Sequence, residues 1–210
     1  SHGVVSFAHT SAKKYGGKNG YTDTCGIAKV AFDAQAINAI VMEILLEEGL
    51  PAVSFSPRSF FLSKQGEESK HFFQPIEEVL QQGLIPVLYG DVIWDTKQKS
   101  TIFSGEKTLN ILCRHLQKTY EITQVIELCN VPGVLDQEKK VIPEITKKNW
   151  GALSRHIFKT ETVDVTGGMR HKVEEALMLA EQGISTRIID KKSLSRVLQR
   201  ETEEEGTLVQ

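Results

Sequence analysis

The chain has 210 residues, 40% hydrophobic and 25% charged, enough for one α/β domain or two small ones around a real core. Its formal charge of −2 argues against a nucleic-acid or anionic-membrane surface, so any anion site must be local, built from a few lysines and backbone amides. Cys25, Cys113 and Cys129 are far apart, odd in number and without metal-ligand spacing, and with no signal peptide or membrane span visible they read as reduced thiols of a cytoplasmic protein.

In chain order, Ser1–His9 reads as a strand end running into a small-residue loop, followed by a helix-like Thr10–Tyr15 and the flexible Gly16–Gly20. A helix is expected from about Ile27 to Glu48, with Phe32, Ile37, Ile40, Val41, Ile44 and Leu45 as its apolar side. Gly49-Leu50-Pro51 ends it, and Ala52–Phe55 is a strand. Gln74–Gln82 is a short helix closed by Gly83, and Leu84–Tyr89 is the next strand. Gly90-Asp91 follows at the carboxyl end of that strand, where open α/β sheets place their ligands. Asp91–Phe103 reads as a hairpin with the polar tip Thr96–Ser100. Ser104-Gly105-Glu106 then opens a helix to about Lys118, a candidate anion-facing N-terminus.

Thr123–Cys129 is a further strand ending in Asn130-Val131-Pro132-Gly133. Val141–Ile145 and a helix from about Thr146 lead to Asp164-Val165-Thr166-Gly167-Gly168-Met169-Arg170-His171-Lys172. Met169, Val173, Ala176, Leu177 and Ala180 then mark one helical face, Gly183 closes the helix, and Ile184–Asp190 is a strand. A short helix around Ser193–Leu198, an acidic tip at Glu201–Glu205 and a last edge strand over Gly206–Val209 complete the chain. Three helix–glycine–strand joints, at Gly49, Gly83 and Gly183, indicate parallel strands with crossover helices.

Two readings of the Asp164–Lys172 turn stand side by side. Glycines at a helix mouth open backbone N–H groups and the helix dipole to phosphate, with Lys172 one turn in as a mobile charge and Asp164 placed to orient it. The same residues also describe an ordinary helix start capped by Thr166 or Asp164. G-x-x-x-x-G-K-[ST], G-x-G-x-x-G, G-x-S-x-G and H-E-x-x-H are all absent, and the six histidines show no ligand spacing. His9 stands apart because it lies in a small-residue loop at a strand end.

Taken together, Ser6-Phe7-Ala8-His9, Ala12–Gly16, Leu88–Val92, Ile102–Glu106, Asp164–Lys172 and Glu204–Leu208 resemble the isopentenyl phosphate kinases of the amino-acid kinase superfamily, in the family's order and over nearly the whole chain. The resemblance implies one open three-layer α/β/α sandwich with a mainly parallel sheet, usually a homodimer, whose N-terminal half binds the acceptor and C-terminal half ATP. It implies transfer of a phosphoryl group from Mg-ATP, with Mg²⁺, to isopentenyl phosphate in isoprenoid biosynthesis, and no nucleic-acid or membrane partner. By motif, His9 would bond the acceptor phosphate, with Gly3, Val4, Ser6, Ala8 and Gly90 around it. Gly167, Gly168 and Lys172 would hold the ATP phosphates, Asp164 would orient the lysine, and Asn130 and Gly133 would line the nucleotide. Phosphoryl transfer between two anions needs positioning and charge neutralisation, which such groups supply.

The chain also departs from the family. It begins about one βα unit late, without the lysine- and glycine-rich opening loop, and we expect residues to be missing upstream of Ser1. Val4-Val5 stands where paired small residues are usual, Glu106 replaces an aspartate, and Cys129–Gly133 replaces a more acidic pattern. A kinase of another small phosphate or phosphonate, such as a fosfomycin kinase, shares the histidine; a nucleotide-binding protein that lost turnover shares the fold.

Overall fold

The computed structural model describes residues 1–3, 8–15, 23–157, 168–199 and 205–210, and of Ala8, His9, Ala12 and Lys13 the backbone alone. The chain divides into two compact units, Ser1–Leu112 and Cys113–Gln210. The three glycine joints organise both. Helices α2 (Thr24–Glu47), α3 (Gln74–Gln81) and α6 (Gly168–Ala180) end at Gly49, Gly83 and Gly183, with φ of 75°, 75° and 80°. In each the glycine N–H bonds back three residues and the next N–H five residues, as in Leu84 N to the Val79 carbonyl, 3.1 Å. Only glycine takes that left-handed turn without strain, so each helix stops where the next strand begins.

In the first unit, Asp23 caps α2, its carboxylate accepting from the Cys25 and Gly26 N–H groups at 3.1 Å each. The helix therefore starts three residues before the expected Ile27. Its packed side also differs from the expectation. Ile27, Val30, Ala31 and Ala34 bury against Tyr89 and Val92, with Ile37 packed at the edge. Phe32, Ile40 and Ile44 stand 65%, 47% and 53% exposed. The packed face carries Ile27 and Val30 with the small Ala31 and Ala34, and the residues expected to pack stand outward. At Gly26 the fit is tightest, since a Cβ would lie 2.5 Å from the Tyr15 Cβ of α1 (Ala8–Tyr15).

Strands β1 (Ala52–Ser54) and β4 (Ile85–Val87) pair in parallel, as the joints predict. The expected hairpin is present as β5 (Asp91–Asp95) and β6 (Lys99–Phe103). It belongs to a four-stranded sheet, order β3-β2-β5-β6, whose other half was not anticipated: β2 (Phe61–Lys64) and β3 (Glu67–His71). The residues of β3 are all polar, so no alternation marks it. Its signal was the turn instead, Gln65 and Gly66 at φ of 57° and 86°, the pattern of a two-residue hairpin. Aromatic rings pack edge-on against this sheet, Phe61 lying 5.3 Å from Phe73 and 5.6 Å from Phe103.

The second unit is a sheet of order β7-β9-β10-β8, from β7 (Val125–Cys129), β8 (Glu144–Ile145), β9 (Thr186–Asp190) and β10 (Thr207–Val209). β7 and β9 run parallel, Cys129 opposite Asp190. The C-terminal strand was expected at an edge and lies inside, antiparallel to β9 and parallel to β8. Thr207 and Val209 are fully buried, which an edge position would not give. Val173 and Ala176 of α6 pack on Ile188, Val209, Ile145 and Val134. Helices α4 (Gly105–Leu116), α5 (Lys147–Leu153, begun by a Thr146–Asn149 capping box) and α7 (Leu194–Leu198) match expectation to within a few residues. Among the described residues no helix is long and apolar enough to cross a membrane.

Both hairpin turns of the first unit hang on one side chain. The Asp95 carboxylate accepts from the N–H groups of Gly66 (2.8 Å), Gln65 (3.2 Å), Lys97 (2.8 Å) and Gln98 (3.0 Å), and from the Ser63 hydroxyl (2.9 Å). Burial pushes its pKa up, but these donors outweigh burial and hold the carboxyl well below its usual range. Asp95→Asn should lower stability by about 1–3 kcal/mol near neutral pH. A depressed folded pKa gives stability that is present above the unfolded value and lost below it. The gap in urea midpoint between the two proteins should therefore narrow from about pH 5 to about pH 3; a gap constant over that range would refute this account.

Candidate functional site

Each unit carries one cluster of the residues expected to act. In the first, three backbone segments converge. The His2 N–H bonds the Leu88 carbonyl at 3.0 Å, and the Gly90 N–H bonds the His2 carbonyl at 3.1 Å. The Ser1 hydroxyl bonds the Gly105 carbonyl at 3.0 Å. A Cβ on Gly90 would lie 3.2 Å from the Gly105 nitrogen, and one on Gly105 would lie 2.8 Å from the His2 carbonyl oxygen. A side chain at Gly105 would displace backbone, and one at Gly90 would be tight, because backbone meets backbone there. Ser1, His2 and Gly90 thus meet at Gly105, the first residue of α4. Ser104 accepts the Lys107 N–H at 3.0 Å, leaving the helix mouth as the electropositive end.

The His2 ring packs 5.8 Å from the Tyr89 ring and bonds the Asn38 side chain at 3.1 Å, whose amide donates to Ser54 at 2.7 Å. A buried asparagine inside α2 is thereby satisfied, and it ties the N-terminal segment to helix and sheet. Asp91, its carboxylate fully buried, takes a forked bond from Arg58 at 2.6–3.1 Å, and the same guanidinium donates to the Ala31 carbonyl at 2.7 Å. Burial raises the Asp91 pKa, and the guanidinium opposes that rise. Sequence reading had passed over Arg58, whose only signal was an arginine after a proline in an apolar stretch.

In the second unit, Gly168 opens α6 at φ of 64°, and Lys172 lies one turn in. Its ammonium is 3.8 Å from the buried Glu127 carboxylate of β7. Asp164 was expected to orient that lysine. It lies outside the described residues, as do Gly167, Val4 and Ser6; Glu127 is an acidic neighbour among the described ones. A glutamate inside the apolar run Val125–Cys129 was the overlooked signal. A cavity of about 330 Å³ opens at the carboxyl ends of parallel β7 and β9, lined by Leu128, Cys129, Asn130, Asp190, Lys191 and Lys192. Asn130, expected to line the nucleotide, is on this cavity's wall; the lysine pair was not anticipated.

The Asp190 carboxylate is held low chiefly by the Ser193 N–H, with the Ser193 hydroxyl and the Lys192 N–H adding to it. Burial pushes the Cys129 thiol up, so it stays a neutral donor, to the Val131 carbonyl at 3.0 Å. Gly133 is not on the cavity wall. It is clamped under β10, where a Cβ would lie 2.8 Å from the Thr207 hydroxyl. His9 was expected in a loop and lies in the first turn of α1, because the helix begins at Ala8, two residues early. Of Ala8 and His9 only the backbone is described. Among the described residues no three His, Cys, Asp or Glu side chains converge to hold a metal ion.

The Thr207 hydroxyl accepts the Val134 N–H at 2.8 Å and donates to the Ile142 carbonyl at 2.7 Å, fastening the loop that follows Asn130. Thr207→Val keeps the shape and orphans both groups, which should cost about 1–3 kcal/mol. Thr207→Ser should retain most of the stability, by thermal unfolding; equal losses for the two would show that packing of the methyl, and not the hydroxyl, holds the loop.

The sequence pattern of the amino acid kinase family matches residues 1–190. The isopentenyl phosphate kinase of Methanothermobacter thermautotrophicus is 31% identical over 201 residues, covering 90% of this chain and 74% of that protein. That of Arabidopsis thaliana is 29% identical, covering 90% of this chain; the chain spans 62% of its length. A solved isopentenyl phosphate kinase superposes with a TM-score of 0.77 at 27% identity, over 100% of this chain and 82% of that one.

Proposed function

Since the chain belongs to the amino acid kinase family, we propose that it transfers the γ-phosphoryl group of ATP to isopentenyl phosphate, giving isopentenyl diphosphate and ADP. An acceptor phosphate oxygen attacks the γ-phosphorus, and the bond from that phosphorus to the β-bridging oxygen breaks. The observation that carries the reading is in the first unit. The His2 carbonyl and Gly90 lie against Gly105, the first residue of α4, and Tyr89 joins them to the apolar Ile27, Val30, Ala31 and Val92 cluster; that helix mouth is proposed to read the acceptor phosphate. A short alkyl monophosphate presents that same pair of surfaces. Burying each methylene stabilises by about 0.8 kcal/mol, so a fully buried five-carbon tail would separate this acceptor from a tail-less one by about 4 kcal/mol, on the order of 10³-fold. His9, with Val4, Ser6 and Ala8, is proposed to bond the acceptor phosphate from the start of α1 and the segment before it.

ATP is proposed to occupy the second unit. The mouth of α6 at Gly167-Gly168 and the Lys172 ammonium face the phosphates, and the cavity at Asn130 and Lys191-Lys192 takes the rest of the nucleotide. The residues fit an anionic nucleotide, because local cations and a helix mouth gather in a chain whose net charge is −2. Asp164 is proposed to orient Lys172. Mg²⁺ neutralises phosphate charge in such transfers and would arrive on ATP.

The homodimer is proposed to form on the outward side of α2, where Phe32, Ile40 and Ile44 are exposed on one side of the helix. Ile40→Glu should shift the protein to monomer in light scattering, and an unchanged mass would move the interface elsewhere.

With ATP, isopentenyl phosphate should be preferred over methyl phosphate, fosfomycin and acetylglutamate in kcat/KM. Lys172→Ala should lower kcat by on the order of 10²-fold, the scale of one preorganised charge. Highest kcat/KM for fosfomycin, or full turnover without the lysine, would overturn the assignment.

A further inference from the structure

We propose that Arg58 is a positioning residue for the acceptor, holding the anion-reading loop at Gly90 at a set distance from the apolar side of α2. This rests on the acceptor reading given above. The Arg58 side chain leaves the 3-10 turn Pro57–Ser59 and is mostly buried, and the Asp91 side chain has no exposed surface. The Nε of Arg58 lies 2.9 Å from Asp91 Oδ2 and 3.1 Å from Oδ1, and one terminal nitrogen lies 2.6 Å from Oδ1. That same terminal nitrogen reaches the Ala31 carbonyl at 2.7 Å.

One planar group therefore links two places. Asp91 is the residue after Gly90, and it also takes the Val92 N–H at 2.8 Å, the Ser56 hydroxyl at 3.2 Å and the Arg58 N–H at 3.3 Å. Ala31 sits among Ile27, Val30 and Ala34 on the packed side of α2. An arginine bonds both partners at once through a rigid fork, whereas a lysine is a point charge on a flexible stem. The Ala31 carbonyl is a helical one, already accepting within the helix, so the guanidinium adds no missing helical bond. What it adds is a tie between helix and loop. The spacing between where a phosphate is read and where its tail is buried is set by that tie.

The test compares Arg58→Lys and Arg58→Gln with wild type, using Asp95→Asn as a destabilised control in the same unit but at the hairpin turns. Calorimetry measures isopentenyl phosphate, inorganic phosphate and ATP binding, and kinetics gives KM for both substrates and the preference for isopentenyl over methyl phosphate. Both Arg58 variants should weaken isopentenyl phosphate by about tenfold or more, the scale of a small misplacement of a bound group, and narrow the tail preference. ATP affinity should stay within about twofold, because the tie holds the acceptor side alone. Asp95→Asn should lower stability without moving the acceptor KM. Acceptor KM and tail preference unchanged in Arg58→Lys, or shifted equally in Asp95→Asn, would overturn the inference. Wild type that transfers nothing to isopentenyl phosphate would refute the proposed function instead. The Arg58 inference is then read from inorganic phosphate, whose binding must still weaken in both variants; unchanged phosphate binding would overturn it.

Discussion

A carboxylate without exposed surface must receive its hydrogen bonds from the protein, and around Gly90 much of the first unit follows from doing so for Asp91. Stripped of water, that group would cost several kcal/mol if left uncompensated. The chain supplies Arg58, two backbone N–H groups and the Ser56 hydroxyl. Meeting that demand draws the 3-10 turn, the start of β5 and the middle of α2 onto one point. Gly90 is then held next to the mouth of α4, in close backbone contact with Gly105. Asp95, on the same face of the same strand, repeats the device at the other end of β5 with backbone donors in place of an arginine.

The second unit is fastened differently. Here the exposed ends of two parallel strands make the cavity, and the polar groups behind them hold the loops in place. Asp190 caps the turn that carries Lys191 and Lys192, and Thr207 pins Val134 and Ile142 from the neighbouring strand. Glu127 places a negative charge beneath Lys172, which restrains a long flexible cation near the helix mouth. A phosphate group needs local positive charge, and a net charge of −2 leaves no basic surface to attract it generally. Burial pushes the Cys113 thiol up to about 11 and raises Cys129 as well, so these two thiols stay neutral.

The expectations that failed share one cause. Apolar periodicity reports that a helix has two sides and does not say which side a neighbour will cover. In α2 the large residues Phe32, Ile40 and Ile44 lie outward, and small Ala31 and Ala34 lie inward, because the packed side must let Tyr89, Val92 and the Arg58 fork approach closely. Strand β3 carried no apolar residue to read, and β10 gave no hint that Glu144–Ile145 would cover its far side. Arg58 and Glu127 were equally illegible as partners, since Asp91 and Lys172 stand 33 and 45 residues away from them in the chain.

The amino-acid sequence by itself determined the local events. Gly49, Gly83 and Gly183 end their helices because only glycine turns left-handed without strain, and each ending starts a strand. The hairpin from Asp91 to Phe103, the glycine at the start of α6 and Lys172 one turn later are likewise consequences of neighbouring residues. Tertiary structure alone decided which groups meet: that the Ser1–Gly3 segment lies against Gly90 and Gly105, that β10 enters the sheet between β9 and β8, and that Arg58 bridges Asp91 and Ala31. Those meetings depend on burial and on satisfying polar groups across long separations, and no short stretch of sequence contains both halves of such a contact.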